Sequence, residues 1–284
     1  MKTGIVILNY NSYDLTCNLV KRCLSMQRLD KIVIVDNHSN DNFDDFCNQL
    51  NNVKIKYIKN SKNAGYASGN NIGLKYLVEE GFEIGFIANP DTMFEEKTIE
   101  NIVNFLKIHP QYGIASCKRT IQESGKTGQY WWIPDYKYVL LDALVLGRKL
   151  QNKKCVDVTC QAVENSKEDY LTVEVVGGAF FGCNLKIMEE INYLDEATFL
   201  WYEENILASK LKNKNYKEAL MLNCTYQHNH VKKKGHGNQN FHVFIQSKRY
   251  FCNTYLKMNS FQKLLLKLFD GIGMIENKIL CMIK

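Results

Sequence analysis

Acidic or metal-ligating side chains stand directly behind apolar, strand-like runs at several points in this chain. Asp36 follows Lys31-Ile32-Val33-Ile34-Val35, Asn89-Pro90-Asp91 follows Ile84-Gly85-Phe86-Ile87-Ala88, and Glu203-Glu204 follows Phe199-Leu200-Trp201-Tyr202. In an open α/β sheet the carboxyl ends of strands are where ligands gather. Asp91, behind the stiff Pro90, offers a hard oxygen donor to Mg2+ or Mn2+, which also take substrate phosphates. A cation bridging a diphosphate offsets the charge that builds as it departs; a bare Asn-Pro-Asp turn is the alternative. Glu203-Glu204 can supply a general base, because a carboxylate in a partly dry cleft takes the proton of an attacking hydroxyl. Acids in a first helical turn also serve the helix dipole alone. Asp36 can accept from a base N–H or a ribose hydroxyl, or cap a turn. His228 and His230, with Lys232-Lys233-Lys234 and His236 nearby, can complete a metal site or bind pyrophosphate, or can be structural.

These groups need a scaffold, and the apolar pattern supplies one. Ile5-Val6-Ile7-Leu8 reads as a buried parallel strand ending in Asn9-Tyr10-Asn11, and a helix capped by Ser12 or Asp14 follows. Strands are expected at Lys31–Val35, Val53–Ile58, Ile84–Ala88 and Gly113–Cys117. Helices are expected over Asn42–Leu50, Gly69–Glu80, Thr98–Ile108, Lys186–Ile191 and Glu203–Lys212. Asn63-Ala64-Gly65 and Gly69-Asn70-Asn71 read as a Gly/Asn-rich loop ahead of a helix whose N-terminus can hold phosphate. Strand–helix alternation of this kind predicts an α/β protein with a mostly parallel central sheet flanked by helices. The stretch from Arg119 to Val173 has no clear period.

Composition narrows the class. A chain of 284 residues, 45% hydrophobic and 23% charged, is globular rather than disordered. No apolar run reaches a membrane span, and the N-terminus lacks a signal peptide's apolar region, which predicts a cytoplasmic protein. Ten scattered cysteines without a C-x-x-C pair read as buried, reduced thiols. No G-x-G-x-x-G follows the first strand, which counts against a dinucleotide-dependent dehydrogenase. From residue 206 onward there are 14 Lys and Arg against 3 Asp and Glu, a net of +11, leaving −5 for residues 1–205 of a total of +6. The basic end carries Phe261 to Phe269, Ile272, Met274, Ile275, Ile279 and Leu280 with interspersed lysines. It reads as an amphipathic helix on an anionic membrane rather than a nucleic-acid arm; packing on the catalytic domain, or on a second subunit as a homodimer, is the alternative.

The order Ile34 to Asp41, Asn63 to Gly73, Asn89 to Thr92, Gly177-Gly178-Ala179, Leu194-Asp195-Glu196 and Phe199 to Glu204 resembles that of family 2 glycosyltransferases. The likeness is greatest to the rhamnosyltransferase-type branch of bacterial polysaccharide synthesis, which makes capsule and O-antigen. It implies a GT-A fold: a catalytic domain over residues 1–225, its nucleotide-binding part about 1–117 and its acceptor-binding part about 118–225, then a helical C-terminal extension over 226–284. It implies inverting, metal-assisted transfer from dTDP-rhamnose or a UDP-sugar to a hydroxyl of a lipid-linked glycan, at the inner face of the cell membrane. The resemblance further implies nucleotide contacts at Asn9, Tyr10, Asn11, Asp36, Asn63, Gly65, Asn70 and Asn89. Asp91 and His228 fall on the metal positions, Glu203 and Glu204 on the catalytic pair, and Gly178, Ala179, Trp201 and Tyr202 on the acceptor side. Glu204 stands where relatives carry Asp, and Ile206 where they carry a further acid. Those departures keep open a catalytically weakened relative that binds nucleotide-sugar or scaffolds a synthetic complex.

Overall fold

A strand made of Ile and Val on both faces must be covered on both faces, and Thr3–Asn9 (β1) is. Ile5 and Ile7 enter one buried cluster and Val6 the other, as the two-residue period of a strand requires. The computed structural model describes residues 1–40, 43, 45–46, 52–120, 127–229 and 237–283, without side chains at 237–240, 281 and 283. Most of the expected helix at Asn42–Leu50, and His230, Lys232-Lys233-Lys234 and His236, lie outside them.

After β1 come Tyr13–Ser25 (α1), Lys31–Asp36 (β2), Ile55–Lys59 (β3), Tyr66–Glu79 (α2), Ile84–Ala88 (β4), Thr92–Phe94 (β5), Glu96–Ile108 (α3) and Tyr112–Thr120 (β6). Then follow Tyr136–Asp142 (α4), Val145–Asn165 (α5), Tyr170–Val173 (β7), Phe180–Asn184 (β8), Leu185–Glu190 (α6), Glu203–Asn213 (α7), Lys217–His228 (β9), Gly237–Thr254 (α8) and Ser260–Ile283 (α9). The strands form one sheet in the order β3-β2-β1-β4-β8-β6-β9-β5, with β7 also on β9. β3, β2, β1 and β4 run parallel, as does β6 with β9; β8, β5 and β7 pair antiparallel. The expected α/β class is borne out, with a mixed sheet whose parallel order is concentrated in its first half.

β1 leads to β2 and β3 on one side and is flanked by β4 on the other. The strand order therefore reverses between β1 and β4, which opens a crevice at their carboxyl ends. Asn9, Asp36 and Asn89 stand at those ends. α1 and α3 cover one face of the sheet, and α2, α6 and α7 the other. α2 begins at Tyr66, earlier than the sequence indicates, so Gly69-Asn70-Asn71 lie within the helix and not in the loop ahead of it. The reason is packing: a Cβ at Gly69 would collide with Leu8 of β1, and Asn70 is fully buried.

The unassigned stretch before Val173 contains α4 and the long α5, which buries only Thr159 and Cys160. A third cluster joins α4, α8 and α9 to the start of α7, with Val139, Phe251, Met258 and Leu266 around Tyr202 and Ile206. α9 thus packs on the body of the protein along one side. On its other side Phe261, Leu264, Leu268, Ile272, Ile275, Ile279 and Met282 are exposed. No helix among the described residues is long and apolar enough to cross a membrane. The cysteines whose side chains are described are free thiols, and all of these but Cys155 are buried.

Candidate functional site

The carboxyl ends of β1 and β2 are laced together by short polar side chains. Asn9 donates to Asp36 Oδ1 at 3.0 Å and to Ser39 Oγ at 3.1 Å, while Thr16 donates to Asn9 Oδ1 at 2.8 Å. Ser39 returns its backbone N–H to Asp36 Oδ2 at 3.3 Å and accepts the N–H of Asn11 at 3.0 Å. Asp36 is therefore almost wholly buried and holds the loop at the carboxyl end of β2. Tyr10 stands out beside it with its ring exposed, between the turn residues Asn9 and Asn11, the latter at φ 49°. Asn37 donates to Asn63 Oδ1 at 2.8 Å and to the Gly65 carbonyl at 3.1 Å, bringing the third predicted loop to the same rim. Asn70, inside α2, is fully buried and donates to the Tyr66 carbonyl at 3.0 Å.

At the end of β4 the chain turns sharply. Thr92 donates its N–H and its hydroxyl to the Asn89 carbonyl, at 3.1 and 2.7 Å. The turn presents Asp91 beside β9, where Thr92 is paired with His228. His228 Nε2 lies 3.2 Å from Asp91 Oδ1, and Asn229 N–H donates to the Asp91 carbonyl at 3.0 Å. Among the described residues no three His, Cys, Asp or Glu side chains converge on a cation. A carboxylate oxygen and an imidazole nitrogen this close nevertheless fit Mg2+ or Mn2+, ions that keep few protein ligands when substrate phosphates fill the rest of the shell.

Glu203 and Glu204 are set by a strained turn. Trp201 and Tyr202 both take left-handed conformations, at φ 77° and 70°, immediately before α7. For bulky residues that is costly and is sustained only by surrounding contacts. Here Tyr66 N–H donates to the Phe199 carbonyl at 3.0 Å, and Tyr202 OH donates to Asp142 at 3.4 Å. Gly65, at φ 98°, is the residue that lets the chain pass: a Cβ there would strike Phe199 O. Glu204 Oε1 accepts the Gly178 N–H at 3.2 Å, and a Cβ at Gly178 would lie 2.7 Å from that oxygen.

The two glutamates differ in environment. Burial, with the neighbouring Glu204 charge, pushes Glu203 up to about 8, and its Oε1 has no hydrogen-bond partner among the described residues. Burial also raises Glu204, opposed by its own and the Gly178 backbone N–H and by the Arg119 charge. Only Glu204 lines a cavity of about 560 Å3, walled by Trp131, Tyr138, Trp201, Tyr202, Phe241 and Phe244. Ile206 is buried among the α8 and α9 residues, so no acid stands at that position.

Gly178-Ala179 connects the acidic centres. Ala179 accepts the Asn89 N–H at 2.8 Å, while the preceding residue holds Glu204. Tyr66 OH donates to the Gly178 carbonyl at 2.5 Å. The Tyr226 hydroxyl, raised mainly by burial, also feels the charges of both Glu204 and Asp91. The cavity beside Glu204 does not itself include Asp91. Arg119, Tyr226, Tyr66 and the buried Glu218, whose carboxylate accepts the Val176 N–H at 2.8 Å, were not singled out by sequence. Arg119 alone had a usable signal, since it lies two residues beyond the apolar run Gly113–Cys117.

Residues 4–170 match Glycosyl transferase family 2. The chain is 24% identical over 260 residues to the low-salt glycan biosynthesis hexosyltransferase Agl10 of Haloferax volcanii, covering 90% of this chain and 75% of that protein. Its fold is similar to GalNAc-T7 solved with UDP, GalNAc and Mn2+ (TM-score 0.63, 14% identity, 95% of this chain and 54% of that one). It is also similar to the mannosyltransferase PcManGT of Pyrobaculum calidifontis solved with GDP-Man and Mn2+ (TM-score 0.60, 14% identity, 95% and 69%). The chain thus spans about half the length of the GalNAc-T7 chain.

Proposed function

The chain belongs to glycosyl transferase family 2, and on that premise we propose that it moves one sugar from a nucleotide-sugar to a hydroxyl of a glycan acceptor, with inversion. The observation that carries this reading is the Gly178-Ala179 link. It fixes the Asn89-Pro90-Asp91 turn and the Glu204 carboxylate on adjacent residues of one backbone segment. A donor held at the first and an acceptor at the second would then meet along that segment.

In this reading the laced loops at Asn9, Tyr10, Asn11, Asp36, Asn63 and Gly65 receive the nucleoside, with the Tyr10 ring available to stack. Asp91 and His228 would hold Mg2+ or Mn2+, which would offset the negative charge of the departing diphosphate. Both structural relatives were solved with Mn2+, one with UDP and the other with GDP-Man. Glu204 takes the proton of the acceptor hydroxyl as its oxygen attacks the anomeric carbon. Glu203, protonated at neutral pH, keeps a second charge away from that carboxylate, and Trp201 with Tyr202 walls the acceptor side. The donor is dTDP-rhamnose or a UDP-sugar.

The exposed apolar side of α9, with Lys263, Lys267 and Lys278 also exposed, suits the surface of an anionic membrane. A lipid-linked acceptor at the inner face of the cell membrane would be presented there. The test is sugar release and transfer from labelled nucleotide-sugars with manganese. Asp91→Ala should abolish turnover, and Glu204→Gln should retain donor binding yet lose transfer. Near-normal transfer by Glu204→Gln would remove Glu204 from the base role.

A further inference from the structure

The cavity beside Glu204 contains a cation held by stacking on aromatic rings. Arg148, in the first turn of α5, lines it. Its guanidinium carbon sits 4.9 Å from the ring centres of both Phe241 and Phe244 of α8. Among the described residues, the guanidinium makes no ion pair or hydrogen bond. Two aromatic faces therefore hold a planar group with five donors in place while those donors remain available. A pre-ordered guanidinium loses little freedom on binding and matches the two oxygens of a carboxylate or phosphate.

The surrounding charges are already committed. Asp270, fully buried, takes both Lys248 Nζ at 2.6 Å and Arg249 Nε at 2.7 Å. Asp142 is nearly buried, accepts the Tyr202 hydroxyl at 3.4 Å and lies within the fields of both Lys248 and Arg148. Asn205 on the same wall accepts the Trp131 indole N–H at 2.8 Å. The charged side chains lining the cavity are Arg148, Asp142 and Glu204, so Arg148 is the lining's one cation among the described residues. Glu204 lies on the same lining, with Arg119 as its own counter-charge. Aromatic walls with a few directed polar groups are the usual make-up of a site that orients a small polar ligand.

We propose that Arg148 binds an anionic group on the glycan acceptor, a carboxylate or a phosphate, and so directs a neighbouring hydroxyl toward Glu204. The two sources are a uronic acid in the glycan and the phosphate that joins its first sugar to a lipid carrier. The assignment rests on the reading of this cavity as the acceptor cleft.

Calorimetric titration of the full chain tests it with paired probes. Methyl β-glucuronide against methyl β-glucoside reports a carboxylate; N-acetylglucosamine 1-phosphate against N-acetylglucosamine reports a phosphate. The chain should bind the anionic member of one pair at least about tenfold more tightly than its neutral counterpart, the scale of a charge-assisted hydrogen bond. Which pair responds identifies the source. Arg148→Met should erase the preference, and Arg148→Lys, which keeps charge and ring contact but not the fork, should reduce it several-fold. Equal affinities within both pairs, or a preference unchanged in the two variants, would overturn the assignment and leave Arg148 as a clasp between α5 and α8. Nucleotide-sugar turnover by the unaltered chain reports separately on the transferase reading. Turnover without anion preference removes only the Arg148 assignment, whereas anion preference without turnover removes the transferase reading and with it the acceptor role of Arg148, leaving an anion site alone.

Discussion

Glu203 and Glu204 are adjacent in sequence, yet one is sealed and the other faces a cavity. Their titrations should differ accordingly. A carboxyl held at about 8 when folded, against 4.5 when unfolded, keeps a proton that the unfolded chain gives up. The folded form is then favoured below the unfolded value and loses that advantage as pH rises toward 8. Thermal unfolding followed from acid to mildly alkaline pH should show stability falling over that window, and Glu203→Gln should flatten the fall. An unchanged slope in the variant would contradict the burial assignment. For Glu204, the rising limb of kcat/KM against pH should sit above the ordinary glutamate range, since the base works only when ionised. Glu204→Gln should remove the limb and lower the rate by about 10²–10⁴-fold. Asp91, His228 and Glu204 were legible in the sequence because each follows an apolar run and carries chemistry in its residue type. Arg148 and Tyr226 were not. The role of Arg148 comes from rings about a hundred residues away, and that of Tyr226 from a pairing between β9 and β5 that no local pattern announces.

The elements that carry these groups depend on one tight crossing, where Gly65 passes the Phe199 carbonyl just ahead of α2. Gly65→Ala combines an unfavourable positive φ with a backbone collision. It should destabilise the fold by about 1–3 kcal/mol and slow transfer, because residues 199–202 aim α7 and Glu204. Gly81 also has positive φ, but a Cβ there meets nothing within 4 Å. Gly81→Ala should therefore cost less in a denaturant melt and leave transfer alone; equal losses in both would mean that the crossing does not position the site. The strand–helix rhythm up to β6 was readable because β-branched runs and helical periods are strong there. α5 was not, since a helix that buries only two of its residues carries almost no apolar period. The start of α2 was misplaced because its glycine and asparagine look like a turn, whereas they serve close packing on β1.

Across the whole molecule, charge and apolar surface are unevenly placed: net +11 beyond residue 205 and −5 before it. α9 concentrates the exposed apolar side chains at that basic end. If this side meets a membrane, the chain should co-sediment with vesicles rich in anionic lipid, less so as salt rises. Replacing Leu268 and Ile275 with Lys should release it from those vesicles. Binding unaffected by salt and by both changes would contradict a membrane role, and dimerisation lost with the same changes would assign the side to a second copy. The central claim is more local: donor and acceptor meet along the Gly178-Ala179 segment. The direct measurement is a crystal of the chain with Mn2+ and UDP, with the cation located by its anomalous scattering. The expected result is Mn2+ coordinated by Asp91, with the terminal phosphate facing the cavity that Glu204 lines. A cation bound away from Asp91, or a diphosphate lying on a face remote from Glu204, would contradict it.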